Sequence, residues 1–169
     1  VAANGQHWRI SPQGYYYYGP FSLLVECVIS DQEVSRTTAP LVSANLRNTA
    51  WEISAGWVLT GETVSYNGLT PKHPFDPRKG QWGAWQIVAR YANLDIDNAA
   101  FNGATSFATA GSASEAKAWS VGLNWYLNKD IRVNASFSRT TFEHIGAATP
   151  TPATTQPENV LFTRLQLEF

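Results

Sequence analysis

Residues 159–169 read N-V-L-F-T-R-L-Q-L-E-F. Leu161, Thr163, Leu165, Leu167 and Phe169 occupy one parity, and Arg164, Gln166 and Glu168 the other. Side chains of an extended chain point alternately to its two faces, so this period of two predicts a β-strand with one apolar and one polar face. A strand of a soluble protein satisfies the same pattern, and only its recurrence elsewhere decides between the readings.

It does recur. Ile131, Val133, Ala135 and Phe137 oppose Arg132, Asn134, Ser136 and Ser138. Across the short turn Asn128 to Asp130, the residues Trp119, Val121, Leu123, Trp125 and Leu127 oppose Ser120, Gly122, Asn124 and Tyr126. Trp85, Ile87, Ala89 and Tyr91 oppose Gln86, Val88, Arg90 and Ala92 in a strand reaching about Leu94. Trp51, Ile53, Ala55, Trp57 and Leu59 oppose Glu52, Ser54, Gly56, Val58 and Thr60, with a start as early as Asn45. Phe21, Leu23, Val25, Cys27 and Ile29 oppose Ser22, Glu26 and Ser30. Trp8, Ile10, Tyr16 and Tyr18 oppose Arg9, Ser11, Gln13, Tyr15 and Tyr17 in a first strand over 7–18. Pro12 falls on the apolar parity of that strand and has no N–H for the ladder, which predicts a bulge or local irregularity there. Gly19-Pro20 reads as a tight turn, making the first two segments a hairpin. Seven strands follow, and no helix.

Composition agrees with strands that leave water. Charged residues make up 15% of the 169 residues, against about a quarter in soluble domains. Aromatics reach 13%, yet mean hydropathy is only −0.23, and no run approaches the roughly 20 apolar residues of a spanning helix. A chain that is aromatic-rich and charge-poor without greasy blocks suits transmembrane β-strands, each of which gives half its residues to a polar lumen. A soluble β-sandwich with a large core is the competing reading. The net charge of −1 argues against a nucleic-acid surface. The lone Cys27 excludes an intrachain disulfide framework and reads as a small hydrophobe on the apolar parity.

The connections alternate in length. Residues 31–44, 95–114 and 143–158 form long polar loops at one rim, whereas Gly19-Pro20 and Asn128 to Asp130 are short turns at the other. Outer-membrane barrels show this asymmetry. Residues 61–82, containing Pro71, Pro74 and Pro77, are the exception on the short-turn side. Connections of that length are often functional. We expect this one to fold toward a pore, with Lys72, Arg78 and Lys79 as candidate constriction residues; the plainer reading of those three is a solvated loop.

Aromatic residues sort by position. Trp8, Tyr16, Tyr18, Trp51, Trp57, Trp85, Tyr91, Trp119 and Trp125 lie near strand ends on the apolar parity, and Phe169 ends the last strand. Amphipathic rings favour the headgroup level of a bilayer, so these residues read as two membrane girdles. The opposite parity carries Arg9, Gln13, Glu26, Glu52, Gln86, Arg90, Asn124, Arg132, Asn134, Arg164, Gln166 and Glu168, the candidate pore lining. Arginine rings favour anions electrostatically, but four arginines stand here against three glutamates, and ion pairing is the commoner role for each arginine.

Catalytic signals are missing from the sequence. His7, His73 and His144 are scattered, and neither G-x-S-x-G nor H-E-x-x-H occurs. His73 near Asp76 fits a turn hydrogen bond better than a dyad. Metal-ligand spacing is also absent. We therefore expect no enzyme, no catalytic residue, no metal and no cofactor.

Five stretches carry a family resemblance: P-Q-G-Y-Y-Y-Y-G-P-F (12–21), W-V-L-T-G-E (57–62), G-A-W-Q-I-V-A-R-Y-A-N-L-D-I-D (83–97), A-W-S-V-G-L-N-W-Y-L-N-K-D-I-R-V (118–133) and E-N-V-L-F-T-R-L-Q-L-E-F (158–169). Together they resemble the carboxy-terminal part of phosphate-selective porins O and P. The resemblance implies an all-β, antiparallel transmembrane β-barrel, with residues 1–169 contributing about seven of sixteen strands to a single porin domain. It implies a homotrimer in the outer membrane of a Gram-negative bacterium, passing small hydrophilic solutes, anions such as phosphate above all. The family's phosphate-binding arginines and lysines lie largely outside the parts matched here. Seven strands cannot close a barrel whose strand number is even, and open edges are not tolerated in lipid. The expected partners are therefore outer-membrane lipid and the remaining strands, from the same or another chain, with no nucleic acid. The alternative is a non-channel outer-membrane barrel acting as a scaffold or partner-binding module in a multi-chain assembly. In either case the aromatic-ended last strand matches the one that outer-membrane proteins present to their assembly machinery, as the resemblance implies.

Overall fold

A computed structural model describes residues 1–109, 111–144 and 156–168, apart from the side chains of Asn4 and Ala104. Its described residues form one antiparallel sheet: β1 (Ala2–Ile10), β2 (Gln13–Tyr18), β3 (Phe21–Ser35), β4 (Ser43–Val58), β5 (Ala84–Asp95), β6 (Glu115–Tyr126), β7 (Ile131–Glu143) and β8 (Glu158–Leu167). Neighbours in sequence are neighbours in space from β3 to β8, and β1 and β2 both pair with β3. The sheet is not closed among the described residues, and β8 and the line of β1 and β2 are its two edges. Short 3-10 turns at Pro77–Lys79, Asn98–Phe101 and Gly103–Thr105 are the helical elements described.

The expected seven strands appear as seven lines of eight segments, because the first line is broken at Ser11-Pro12. That break is not a bulge. Ile10 faces Ile29 and Gln13 faces Glu26, an equal advance on both sides, and the Cys27 N–H still donates to the Pro12 carbonyl at 3.1 Å. Only the proline's missing donor interrupts the ladder. The bulge lies earlier, where Ala3 faces Val34 and His7 faces Gln32, so that four steps on β1 span two on β3.

Several strands run further than their composition implies. β1 begins at Ala2, β3 continues to Ser35 and β4 starts at Ser43, leaving residues 36–42 as the loop where 31–44 was expected. Asp31 and Gln32 are polar but extended, because β1 and β4 pair with them on both sides, and Glu33, opposite the β1 bulge, pairs with Asn45 of β4. Pairing partners override the weak strand propensity of such residues. β6 likewise begins at Glu115 and β7 reaches Glu143. Of the loop expected over 143–158, residues 145–155 lie outside the described residues, as does Phe169.

The register keeps the two parities apart across the whole sheet. Leu23, Ala55, Ala89, Val121, Phe137 and Leu161 form one row of the apolar face. Ser22, Gly56, Val88, Gly122, Ser136 and Phe162 form a row of the opposite face. The apolar face is open, with Trp57, Ile87, Val121 and Leu161 all exposed. At the end holding the short turns, here the turn end, the Asn128 side chain accepts from the N–H groups of Asp130 and Ile131 at 2.8 and 2.7 Å, the local bond that favours Asn in turns.

The one described hydrophobic core sits on the polar face at the turn end. Val58, Val64, Leu69, Ala84 and Tyr126 cluster there, with Tyr17 against them. Val58 is 1% exposed. Val64 and Leu69 come from the long connection between β4 and β5, which therefore lies over the sheet rather than hanging free.

Candidate functional site

Along the polar face the side chains are joined by hydrogen bonds that cross several strands. Near the turn end Gln86 Oε1 accepts from Asn124 Nδ2 and from the Tyr126 hydroxyl, each at 3.0 Å. Asn134 Nδ2 donates to Asn124 Oδ1 at 2.8 Å. Arg132 lies with its guanidinium carbon 5.4 Å from the Tyr126 ring centre and donates to Gln166 Oε1 at 2.5 Å. Gln166 Nε2 in turn donates to Glu168 Oε1 at 2.6 Å. The sequence separates these residues by up to 82 positions; the register puts Gln86, Asn124, Asn134 and Arg164 in one row and Tyr126, Arg132 and Gln166 in the next.

A second group lies further from the turns. Glu26 Oε1 accepts from the Ser11 hydroxyl at 2.8 Å and from Gln13 Nε2 at 2.9 Å. Arg90 Nε donates to Glu52 Oε2 at 2.9 Å, and its Nη2 closes an ion pair with the same oxygen. The twelve polar-parity residues thus share one face, but their charges are not equivalent. Arg90 is neutralised by Glu52, whereas Arg9, Arg132 and Arg164 make no ion pair among the described residues.

Residues 61–71 form a strap across this face. The strap is held at one side by the Val64 N–H donating to the Gly19 carbonyl at 2.9 Å, and by Tyr66 packing edge-on against Tyr15 with ring centres 5.6 Å apart. Leu69 reaches the Tyr126 side, and Asn67 to Thr70 line a cleft of about 100 Å³ with Arg132, Gln166 and Glu168. The buried Glu62 carboxylate ties the strap's two ends, accepting from the Thr60 hydroxyl and from the Lys72 N–H at 3.3 Å. Lys72 Nζ donates to the Gly61 carbonyl at 3.0 Å.

The rest of the connection goes to the other face. Phe75 packs on Trp125 and Trp82 with ring centres 5.3 and 5.8 Å apart, and Trp125 Nε1 donates to the Trp82 carbonyl at 2.6 Å. Trp125 belongs to the apolar parity and stacks on Trp85 at 5.0 Å. Arg78 and Lys79 sit in the 3-10 turn of this second half, with Lys79 3.3 Å from Asp76. Of the three cations expected together, Lys72 ends the strap, while Arg78 and Lys79 sit in the separate turn that follows Phe75, whose ring packs on Trp125 of the apolar face.

Aromatic residues of the apolar face line up obliquely. Trp51 meets Tyr91 at 5.5 Å and Trp119 meets Phe137 at 5.6 Å. Trp8 carries the Arg47 guanidinium 5.8 Å from its ring, beside the buried Asp31, whose carboxylate lies 3.1 Å from Arg47 Nε. The row through Trp8 meets β4 at Arg47, four residues before Trp51; the row through Trp51 meets β5 at Asn93, two residues after Tyr91, which faces Trp119. The line from Trp8 to Trp119 therefore slips by six residues over four strand spacings. At about 3.4 Å per residue and 4.8 Å per strand, that slip corresponds to strands inclined by roughly 45° to the line of rings. Membrane barrels tilt their strands by about 35–45° to the axis, which would set this line level with a membrane plane.

The family described as phosphate-selective porin O and P matches residues 1–169. The chain belongs to that family. Porin O of Pseudomonas aeruginosa is 26% identical over 128 residues, which cover 74% of this chain and 28% of Porin O. The chain thus corresponds to less than a third of the length of that curated relative. Its place is the outer membrane of a Gram-negative bacterium.

For this porin the sequence pattern did not reveal the apolar cluster under the strap. Val58, Ala84 and Tyr126 sit on the polar parity, and the signal available was that two of the three are bulky where their neighbours are small or charged. Nor did it reveal that Phe75 and Trp82, inside an irregular connection, extend the aromatic row of Trp85 and Trp125.

Proposed function

We propose that the protein is a passive diffusion channel for small hydrophilic solutes that prefers anions such as phosphate, with the twelve polar-parity residues lining the pore and the aromatic residues of the apolar face acting as its membrane girdles. Further strands, of the same polypeptide or another, cover the two sheet edges, because unpaired backbone groups are too costly in lipid. The strap narrows the turn-end mouth, and three barrels associate as a homotrimer. The observation that carries the anion preference is the inequality among the arginines: Arg90 pairs with Glu52, while Arg9, Arg132 and Arg164, on the same polar face, make no ion pair among the described residues.

Reversal potentials across a planar bilayer test this reading. Neutralising the pair together, Glu52→Gln with Arg90→Gln, is expected to leave the anion-to-cation permeability ratio unchanged. Arg164→Gln alone is expected to lower it by up to about fivefold, the weight of roughly 1 kcal/mol between unit charges a few ångströms apart in water. Cation preference in the unmodified protein would overturn the proposal.

A further inference from the structure

We propose that residues 75–82 form a lipid-headgroup clamp at the turn-end rim, which takes an anionic phospholipid. The inference depends on the apolar face meeting lipid and is independent of what crosses the pore. Asp76 and Gln81 exchange both backbone hydrogen bonds at 3.0 Å, making a miniature hairpin. Its two legs are the neighbouring Phe75 and Trp82: the Phe75 ring packs on Trp125 of the Trp85–Trp125 stack on the apolar face, and Trp82 packs its ring on Phe75 and accepts at its carbonyl from Trp125 Nε1. Trp82 remains 59% exposed beside that stack, an amphipathic ring in the position that aromatic residues take at a membrane interface.

The tip of the hairpin is basic. Asp76 Oδ1 accepts from the Arg78 N–H at 3.1 Å and Gly80 closes the turn in the left-handed region, which holds Arg78 and Lys79 together at the apex. Lys79 lies 3.3 Å from Asp76 and is still largely exposed; the Arg78 guanidinium makes no ion pair among the described residues. One carboxylate against two cations leaves the apex net positive. Aromatic legs at the acyl boundary with a planar guanidinium beyond them match a phosphodiester headgroup, which guanidinium binds in bidentate fashion. Zwitterionic lipid offers the same phosphate but cancels it with its own cation, so the match is to lipids of net negative charge.

The test uses the whole protein in vesicles of phosphatidylcholine containing a fixed fraction of brominated phosphatidylglycerol or brominated phosphatidylcholine. The quantity read is the part of the tryptophan quenching that disappears in Trp82→Phe. Brominated phosphatidylglycerol is expected to quench that part more strongly, with a preference of about fivefold for each basic side chain at an anionic surface. Arg78→Gln with Lys79→Gln, which leaves the aromatic legs in place, is expected to abolish the preference. Equal quenching by the two lipids in the unmodified protein would overturn the proposal, as would a preference that survives the double substitution. Loss of the preference in excess inorganic phosphate, against chloride of matched ionic strength, would assign the cations to free phosphate and overturn it as well.

Discussion

Val121→Arg is expected to weaken the membrane-inserted protein by about 2–4 kcal/mol, the cost of a cation on the lipid face of a barrel near the bilayer midplane. The position follows from the rings. On β6, Trp119 and Trp125 lie toward the two ends of the apolar face, and Val121 stands between them in the row with Ala89 and Phe137. Ser138→Arg supplies the comparison: it lies on the neighbouring strand, opposite Ser120 on the polar face. There the guanidinium stays hydrated, and a loss within about 0.5 kcal/mol is expected, as for surface substitutions generally. Equilibrium urea unfolding from vesicles reads both values. Similar losses for the two variants would mean that the faces are wrongly assigned to lipid and water.

Gly83→Ala is the second large effect, and it tests the junction of the 61–82 connection with β5. Gly83 has φ of +70°, a region that costs an L-residue about 1–2 kcal/mol. A Cβ there would also stand 2.2 Å from the Tyr126 carbonyl oxygen. That oxygen is backbone and cannot swing away, so the chain must shift beside the buried Ala84 and Tyr126. Gly61→Ala separates the two contributions: its φ is +82° with nothing within 4 Å of the added carbon. We expect Gly61→Ala to lose about 1 kcal/mol and Gly83→Ala at least twice that, by the same unfolding measurement. Because Tyr126 donates to Gln86 and accepts from Arg132 at 3.3 Å, Gly83→Ala is also expected to disturb the polar row, whereas Gly61→Ala is not. Equal losses for the two would show that the approach of Tyr126 is not a constraint.

Much of the architecture was legible in the chain before folding. Alternation over residues 119–127, 131–138 and 159–168 placed three strands and their faces correctly, because side-chain direction in an extended chain is a local, covalent property. The same logic located the break at Pro12, which lacks a donor whatever its neighbours are. It left open whether the break was a bulge or another irregularity, since whether a strand bulges depends on the register of the strand beside it. It also stopped β3 short of Asp31, because a polar run reads as a loop until partners on both sides are known to pair with it.

The candidate site was legible as a face and illegible as a network. Parity put Arg9, Arg90, Arg132 and Arg164 on one side of the sheet, but only the pairing of β4 with β5 brought Arg90 to Glu52, which sets it apart from the other three. The connection over 61–82 carried no period at all, and its division into a strap over the polar face and a basic hairpin on the apolar face rests on contacts with Tyr15, Tyr126 and Trp125. By itself, then, the sequence determined which residues are extended and which of their side chains share a face. The tertiary structure decided which charges meet, what lies beneath the strap and where Arg78 and Lys79 end up, because those outcomes depend on register and packing between segments far apart in the chain.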